Sequence, residues 1–128
     1  MTPYAALIER QREYFQTGIT KTLSFRLAAL RRLREAVETY ERETLDALRG
    51  DLNKSEFEAY SAEIGIVLRE IRFTMRRLRR WARPERVPAP LTHIGSRSRI
   101  YREPYGVALI ISPWNFPFQL AFVPLVGA

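Results

Sequence analysis

Cysteine is absent from the 128 residues, and histidine occurs once, at His93. The first absence excludes a disulfide framework, a thiolate zinc site and a cysteine nucleophile among these residues. The second leaves no histidine cluster, so no metal-ligating residues are expected. No basic stretch followed by an apolar one appears after Met1-Thr-Pro-Tyr4, so no secretory leader is visible and a cytoplasmic setting is expected. Acidic residues are in short supply. There are 14 Asp and Glu against 21 Lys and Arg, a net charge of +7. Hydrophobic residues at 46% and charged residues at 27% are ordinary for a soluble globular protein. The length suits one small domain.

A basic balance points towards nucleic acid or an anionic surface. The basic residues here are nearly all arginine and are mixed with glutamate along helical stretches, so solvated helix faces are the weightier account. Arg76-Arg-Leu-Arg-Arg-Trp-Ala-Arg83 can be read in two ways. Cations suit a helix C-terminus, whose carbonyls carry partial negative charge. Alternatively the run is a phosphate-binding patch with Trp81 for stacking. A small basic helical nucleic-acid-binding protein is the rival function class.

Three parts are visible along the chain. Residues 1–83 read as a helical region, residues 84–95 as a proline-rich connector, and residues 96–128 as strand, strand, turn and helix start. The first helix is expected over Tyr4 to Phe15, stopped by Gly18. The second begins near Ser24 as N-cap, with Leu27, Leu30, Leu33, Val37 and Tyr40 at helical spacing. Leu45, Leu48 and Leu52 either continue it or form a short helix of their own, with Gly50 and Asn53 at its end. Ser55-Glu-Phe-Glu58 fits a capping box, in which Ser55 accepts from the third N–H and Glu58 reaches back to the N–H of Ser55. Phe57, Tyr60, Ile64, Val67, Leu68, Ile71, Met75 and Leu78 then form one apolar stripe. Pro84 ends that helix, and Gly65 is its weak spot.

Ser96 to Arg102 alternates in polarity and reads as a strand with one wet face. Val107-Ala-Leu-Ile-Ile111 is a continuous apolar run, the pattern of a strand covered on both faces in a parallel sheet flanked by helices. Ser112-Pro-Trp-Asn-Phe-Pro117 is a turn, and a helix begins after it. Ligands of α/β sheets sit outside the carboxyl ends of parallel strands, and Ser112 to Asn115 occupies that place. Asn115, between Pro113 and Pro117, can donate to an oxyanion formed in a reaction. It can equally bond nearby backbone within the turn. Spacing alone leaves both open and leans towards the second. Tyr105 to Ala128 carries no charged residue and is long enough for a membrane span. Its three prolines and two side-chain amides argue against one, because their polar groups would go unsatisfied in lipid.

Glu103-Pro-Tyr-Gly-Val-Ala-Leu-Ile-Ile-Ser-Pro-Trp-Asn-Phe-Pro-Phe118 closely resembles the corresponding part of NAD(P)-dependent aldehyde dehydrogenases. Asn53-Lys-Ser-Glu-Phe-Glu-Ala-Tyr60 and Ser96-Arg-Ser-Arg-Ile-Tyr-Arg-Glu-Pro104 look like the class 3 and fatty-aldehyde branch. The resemblance covers nearly the whole chain and implies an N-terminal portion of such an enzyme. The implied fold is α/β: N-terminal helices followed by the beginning of a Rossmann-like cofactor-binding domain. Asn115 matches the family's oxyanion-hole asparagine. Ile111, Ser112, Pro113 and Trp114 match the segment lining the nicotinamide side of the site for NAD or NADP. Ser96 to Arg102 matches a strand region used for subunit association, so a homodimer is implied, with an aldehyde as substrate and neither nucleic acid nor a membrane span as partner. The family's cysteine nucleophile has no counterpart here, so these residues alone are expected to be inactive. Class 3 relatives often carry Tyr where this chain has Phe116, which leaves no hydroxyl at that position.

Overall fold

The computed structural model describes residues 3–93 and 95–128. Helix α1, Pro3–Gln16, opens on a proline whose fixed φ suits a first turn. It stops just before Gly18, which takes φ 78° in the left-handed region. A short 3-10 turn, Ile19–Lys21, leads into α2, Leu23–Thr39. The N-cap of α2 is Thr22 rather than the expected Ser24. Thr22 has the extended backbone a cap needs, and its Oγ1 accepts from the Phe25 N–H at 3.3 Å. Ser24 falls inside the first turn, with its hydroxyl 3.4 Å from Thr22 Oγ1.

The leucine set at 45, 48 and 52 is a separate helix, α3, Glu41–Leu52. Leu45 and Leu48 are buried. Gly50 lies within its last turn, so it does not end the helix. Asn53 does, at φ 52°, where a short polar side chain tolerates the left-handed region.

The expected long helix is three pieces in line: α4, Glu56–Ala59, a π turn over Tyr60–Ile64, and α5, Gly65–Trp81. Ser55 caps the start by accepting from the Glu58 N–H at 3.2 Å. Among the described residues the return bond from the Glu58 side chain is not formed. The π turn changes which residues face inward. In an unbroken α-helix Tyr60 would sit one turn below Ile64. The wider turn puts Ala59 there instead. Ala59, Ile64, Val67, Leu68 and Ile71 are buried, whereas Phe57 is 82% exposed and Tyr60 faces outward. The expected stripe is therefore right from Ile64 onward and out of phase before it.

Trp81 closes α5. Its ring meets Phe73 edge-on at 5.7 Å, and the Arg77 guanidinium lies 5.2 Å from the Phe73 ring centre. The connector then carries a strand of its own. β1, Glu85–Val87, pairs antiparallel with β2, Ser98–Ile100, with Arg86 opposite Arg99. Arg102 reaches back to Glu85 at 2.8 Å, an exposed pair of small energetic weight.

Residues 107–111 have no regular secondary structure, and among the described residues they join no ladder, because the sole sheet there is the β1–β2 ribbon. The expectation of a strand covered on both faces is not met within these residues: Leu109 and Ile111 are each 84% exposed. A parallel ladder needs a second strand delivered by a crossover, and among the described residues there is no such strand. Gly106 brings the segment against α1. Its φ of 114° favours glycine, and its ideal Cβ position lies in ordinary contact, 3.5 Å, with the Phe15 ring.

The chain ends in α6, Pro117–Gly127, which runs through Pro124. Phe118 and Phe122 stack at 4.3 Å, and Val126 enters the core beside α5. Leu30 and Val37 of α2 and Leu45 and Leu48 of α3 complete that core. Among the described residues no helix is long and apolar enough to cross a membrane.

Candidate functional site

The turn at residues 112–116 connects the largely exposed segment 107–111 to α6, and its geometry is set from behind. Pro117 occupies the first turn of α6 and has no N–H. Three donors of that turn remain. Leu120 N–H bonds the Phe116 carbonyl at 3.0 Å. Phe118 and Gln119 N–H both bond Glu63 Oε2, at 2.8 and 3.2 Å. No side chain of the preceding residue caps the helix, so a carboxylate from the π turn does so instead. A negative group suits the positive end of a helix, and these donors would otherwise be left open.

Glu63 is completely buried. Its other oxygen, Oε1, pairs with Lys54 Nζ. Lys54 is itself only 7% exposed. Desolvating each ion costs several kcal/mol even after relaxation. Charge-assisted hydrogen bonds, worth about 1.5–3 kcal/mol each, offset that cost. Nζ also donates to the backbone oxygen of Asn115 at 2.9 Å and stands 4.0 Å from the Phe116 ring centre, a cation–π contact. Two local features deliver these side chains. The left-handed Asn53 turns the chain inward at Lys54, and the π turn rotates Glu63 onto the buried face. Single-turn π bulges of this kind recur at functional sites.

The expected site residues lie side by side on the outer surface of this turn. Asn115 is exposed, and among the described residues its side-chain amide makes no hydrogen bond. The alternative in which that amide is spent on neighbouring backbone is therefore not what the structure displays. Ile111, Pro113 and Trp114 are exposed, Trp114 at 87%, and Ser112 is half-buried. Together they make a charge-free apolar ledge with one hydroxyl. Among the described residues no three His, Cys, Asp or Glu side chains gather to hold a metal ion.

Sequence reasoning missed both members of the buried pair. Glu63 did leave a signal: it is a charge beside Ile64 and four residues before Val67, on the face otherwise reserved for apolar residues. Lys54 left none, since it sits in a link between helices.

The sequence profile described as the aldehyde dehydrogenase family matches residues 3–128. The chain belongs to that family. It is 45% identical over 115 residues to the 4,4'-diaponeurosporen-aldehyde dehydrogenase of Staphylococcus aureus, covering 90% of this chain and 25% of that protein. It is 41% identical over 128 residues to the human aldehyde dehydrogenase family 3 member B1, covering 100% of this chain and 27% of that protein. A solved structure of Staphylococcus aureus AldH in a substrate-bound state superposes with a TM-score of 0.96 at 41% identity, over 99% of this chain and 28% of that one. The chain thus spans about a quarter of the length of the relatives it matches. The class 3 resemblance and the aldehyde dehydrogenase fold expected from the sequence hold. The helices and small ribbon described above are the corresponding part of that fold.

Proposed function

We propose that these residues serve as part of an aldehyde dehydrogenase that oxidises an aldehyde to a carboxylic acid with NAD or NADP as hydride acceptor. Asn115 is the oxyanion donor in this reading. One observation carries it: Asn115 is exposed and among the described residues its amide makes no hydrogen bond, on a turn whose backbone is held from behind by Lys54 and Glu63. A donor fixed in advance, aimed where charge develops, is what lowers the barrier of carbonyl addition.

The ledge of Ile111, Ser112, Pro113 and Trp114 fits a nicotinamide ring. It is apolar, it bears no charge that would compete with the ring, and it adjoins Asn115. The bound cofactor supplies the hydride acceptor. Among the residues present, Asn115 Nδ2 donates to the carbonyl oxygen as the carbon becomes tetrahedral, and the ledge orients the ring and excludes water from one side. The attacking thiolate comes from outside these residues, because the sequence contains no cysteine. Subunit association through the β1–β2 ribbon belongs to the same reading, supported by its open edges and by the exposure of Ile100 and Tyr101.

The test is Asn115→Ala in an active dehydrogenase carrying these 128 residues. Loss of one oxyanion donor lowers kcat by about a hundred- to a thousandfold. Wild-type turnover in that variant would overturn the reading.

A further inference from the structure

Lys54 and Glu63 are buried behind the turn that carries Asn115. We propose that they are positioning residues for Asn115. Lys54 fixes the peptide plane between Asn115 and Phe116, and Glu63 fixes the start of α6 immediately beyond it. The proposal rests on the reading of Asn115 given above and assigns two further residues to that same site.

A turn of this kind has few anchors of its own. Pro113 and Pro117 fix two φ angles but provide no donor. The Asn115 carbonyl meets Nζ at 2.9 Å, and the Phe116 carbonyl is taken by Leu120 N–H at 3.0 Å. With successive carbonyls held, rotation of the 115–116 peptide would break one bond and leave a buried ammonium short of an acceptor. The Phe116 ring, 4.0 Å from the same Nζ, resists the same rotation. On the other side, Phe118 and Gln119 are tied to the oxygen of Glu63 that Lys54 does not use. The direction of the Asn115 Cα–Cβ bond follows from these restraints, leaving only its side-chain torsions to choose. A chain fold that spent a buried ion pair merely on stability would gain little, because well-packed apolar residues often serve as well or better. The contact with Asn115 gives the pair a use that apolar residues cannot supply.

A double variant isolates that use. Lys54→Met with Glu63→Gln removes both charges, so no uncompensated ion remains. The Gln carbonyl still accepts from Phe118 and Gln119, while both holds that Lys54 has on the turn, the bond to the Asn115 carbonyl and the contact with the Phe116 ring, are lost. In an active dehydrogenase carrying these residues, we expect kcat to fall by about a hundredfold, the size of effect a displacement near 1 Å produces, with KM for the aldehyde unchanged. Combined with Asn115→Ala, the double variant should add no further loss, because a misaimed donor and a missing one are the same defect. A double variant with wild-type kcat, or one whose loss adds fully to that of Asn115→Ala, would overturn the positioning role. If Asn115→Ala itself retained wild-type kcat, the reading of the site would fall first, so the two failures are distinguishable. The unaltered enzyme supplies a check that needs no variant. Phe118 and Gln119 amides should exchange with solvent as slowly as those of α5, and exchange at the rate of an open loop would also overturn the proposal.

Discussion

The Nζ of Lys54 lies 2.9 Å from the backbone oxygen of Asn115, and 61 residues of chain separate the two. The same nitrogen is paired with Glu63, whose remaining oxygen receives two N–H groups from the start of α6. One buried cluster thus joins the link after α3, the π turn before α5, and the turn that carries Asn115. It explains how an exposed segment that joins no sheet among the described residues can still hold one residue in a defined place.

Removing Lys54 alone should be far worse than removing both charges. Lys54→Met leaves the Glu63 carboxylate in the interior with two N–H partners and no counter-ion. Breaking a buried pair in this way costs about 3–5 kcal/mol. Urea unfolding of the single variant and of the Lys54→Met/Glu63→Gln pair should show most of that loss recovered in the double variant. Equal midpoints for the two would mean that the pair contributes no electrostatic coupling.

Gly65→Ala should destabilise, although alanine is the better helix former by about 1 kcal/mol. An added Cβ would stand 3.0 Å from the Tyr60 carbonyl oxygen and 3.4 Å from its ring. The oxygen belongs to the backbone of the π turn and has little room to yield. Overpacking of this kind costs about 1–3 kcal/mol, enough to reverse the propensity gain. A thermal midpoint above that of the unaltered chain would contradict this.

Thr22→Ala and Ser24→Ala separate the true N-cap of α2 from its neighbour. The Thr22 hydroxyl satisfies the Phe25 N–H, so its loss should cost about 1 kcal/mol. Ser24 reaches no open backbone donor, and its replacement should stay within roughly 0.5 kcal/mol of neutral. Denaturant midpoints of the two variants, compared side by side, decide it.

Asn115→Ala should leave folding intact. Its side chain is exposed and unbonded among the described residues, so the stability change should lie within roughly 0.5 kcal/mol of zero. The same substitution that removes activity from an intact dehydrogenase should thus pass unnoticed in an unfolding curve of the 128-residue chain. A large shift would show that the amide is committed to structure.

The 128-residue chain by itself should give no aldehyde-dependent NAD(P)H absorbance. It has no cysteine to form the thiolate adduct, and hydride transfer needs that adduct. Steady turnover by the purified chain would contradict the mechanism proposed above.

Much of the helical part was legible because its signals are local. Gly18 and Asn53 mark helix ends through left-handed backbone that few residue types favour, Ser55 by accepting an N–H at a helix start, and Pro84 by disfavouring helix in the residue before it, with α5 ending at Trp81. The apolar stripe from Ile64 to Leu78 follows the helical period. The period failed at Phe57 and Tyr60 because a π turn inserts one residue into the repeat, and no composition rule announces such an insertion. The Val107–Ile111 run was read as a strand covered on both faces, and among the described residues it joins no ladder and stays exposed, because cover and pairing depend on distant contacts that an apolar run does not specify.

By itself the sequence determined the helix boundaries marked at Gly18, Asn53, Ser55 and Pro84, that Asn115 sits between two prolines at the exit of an apolar run, and, through the Pro-Trp-Asn-Phe-Pro motif, the family. Those are matters of neighbouring residues, which the order of amino acids states directly. Only the tertiary structure decided that Lys54 and Glu63 stand behind Asn115. That arrangement depends on a left-handed residue, a widened helical turn and a helix docked from the far end of the chain. Contacts between residues so distant in sequence obey no repeat and have no local marker. Their energies arise only when folding removes water from all three elements at once.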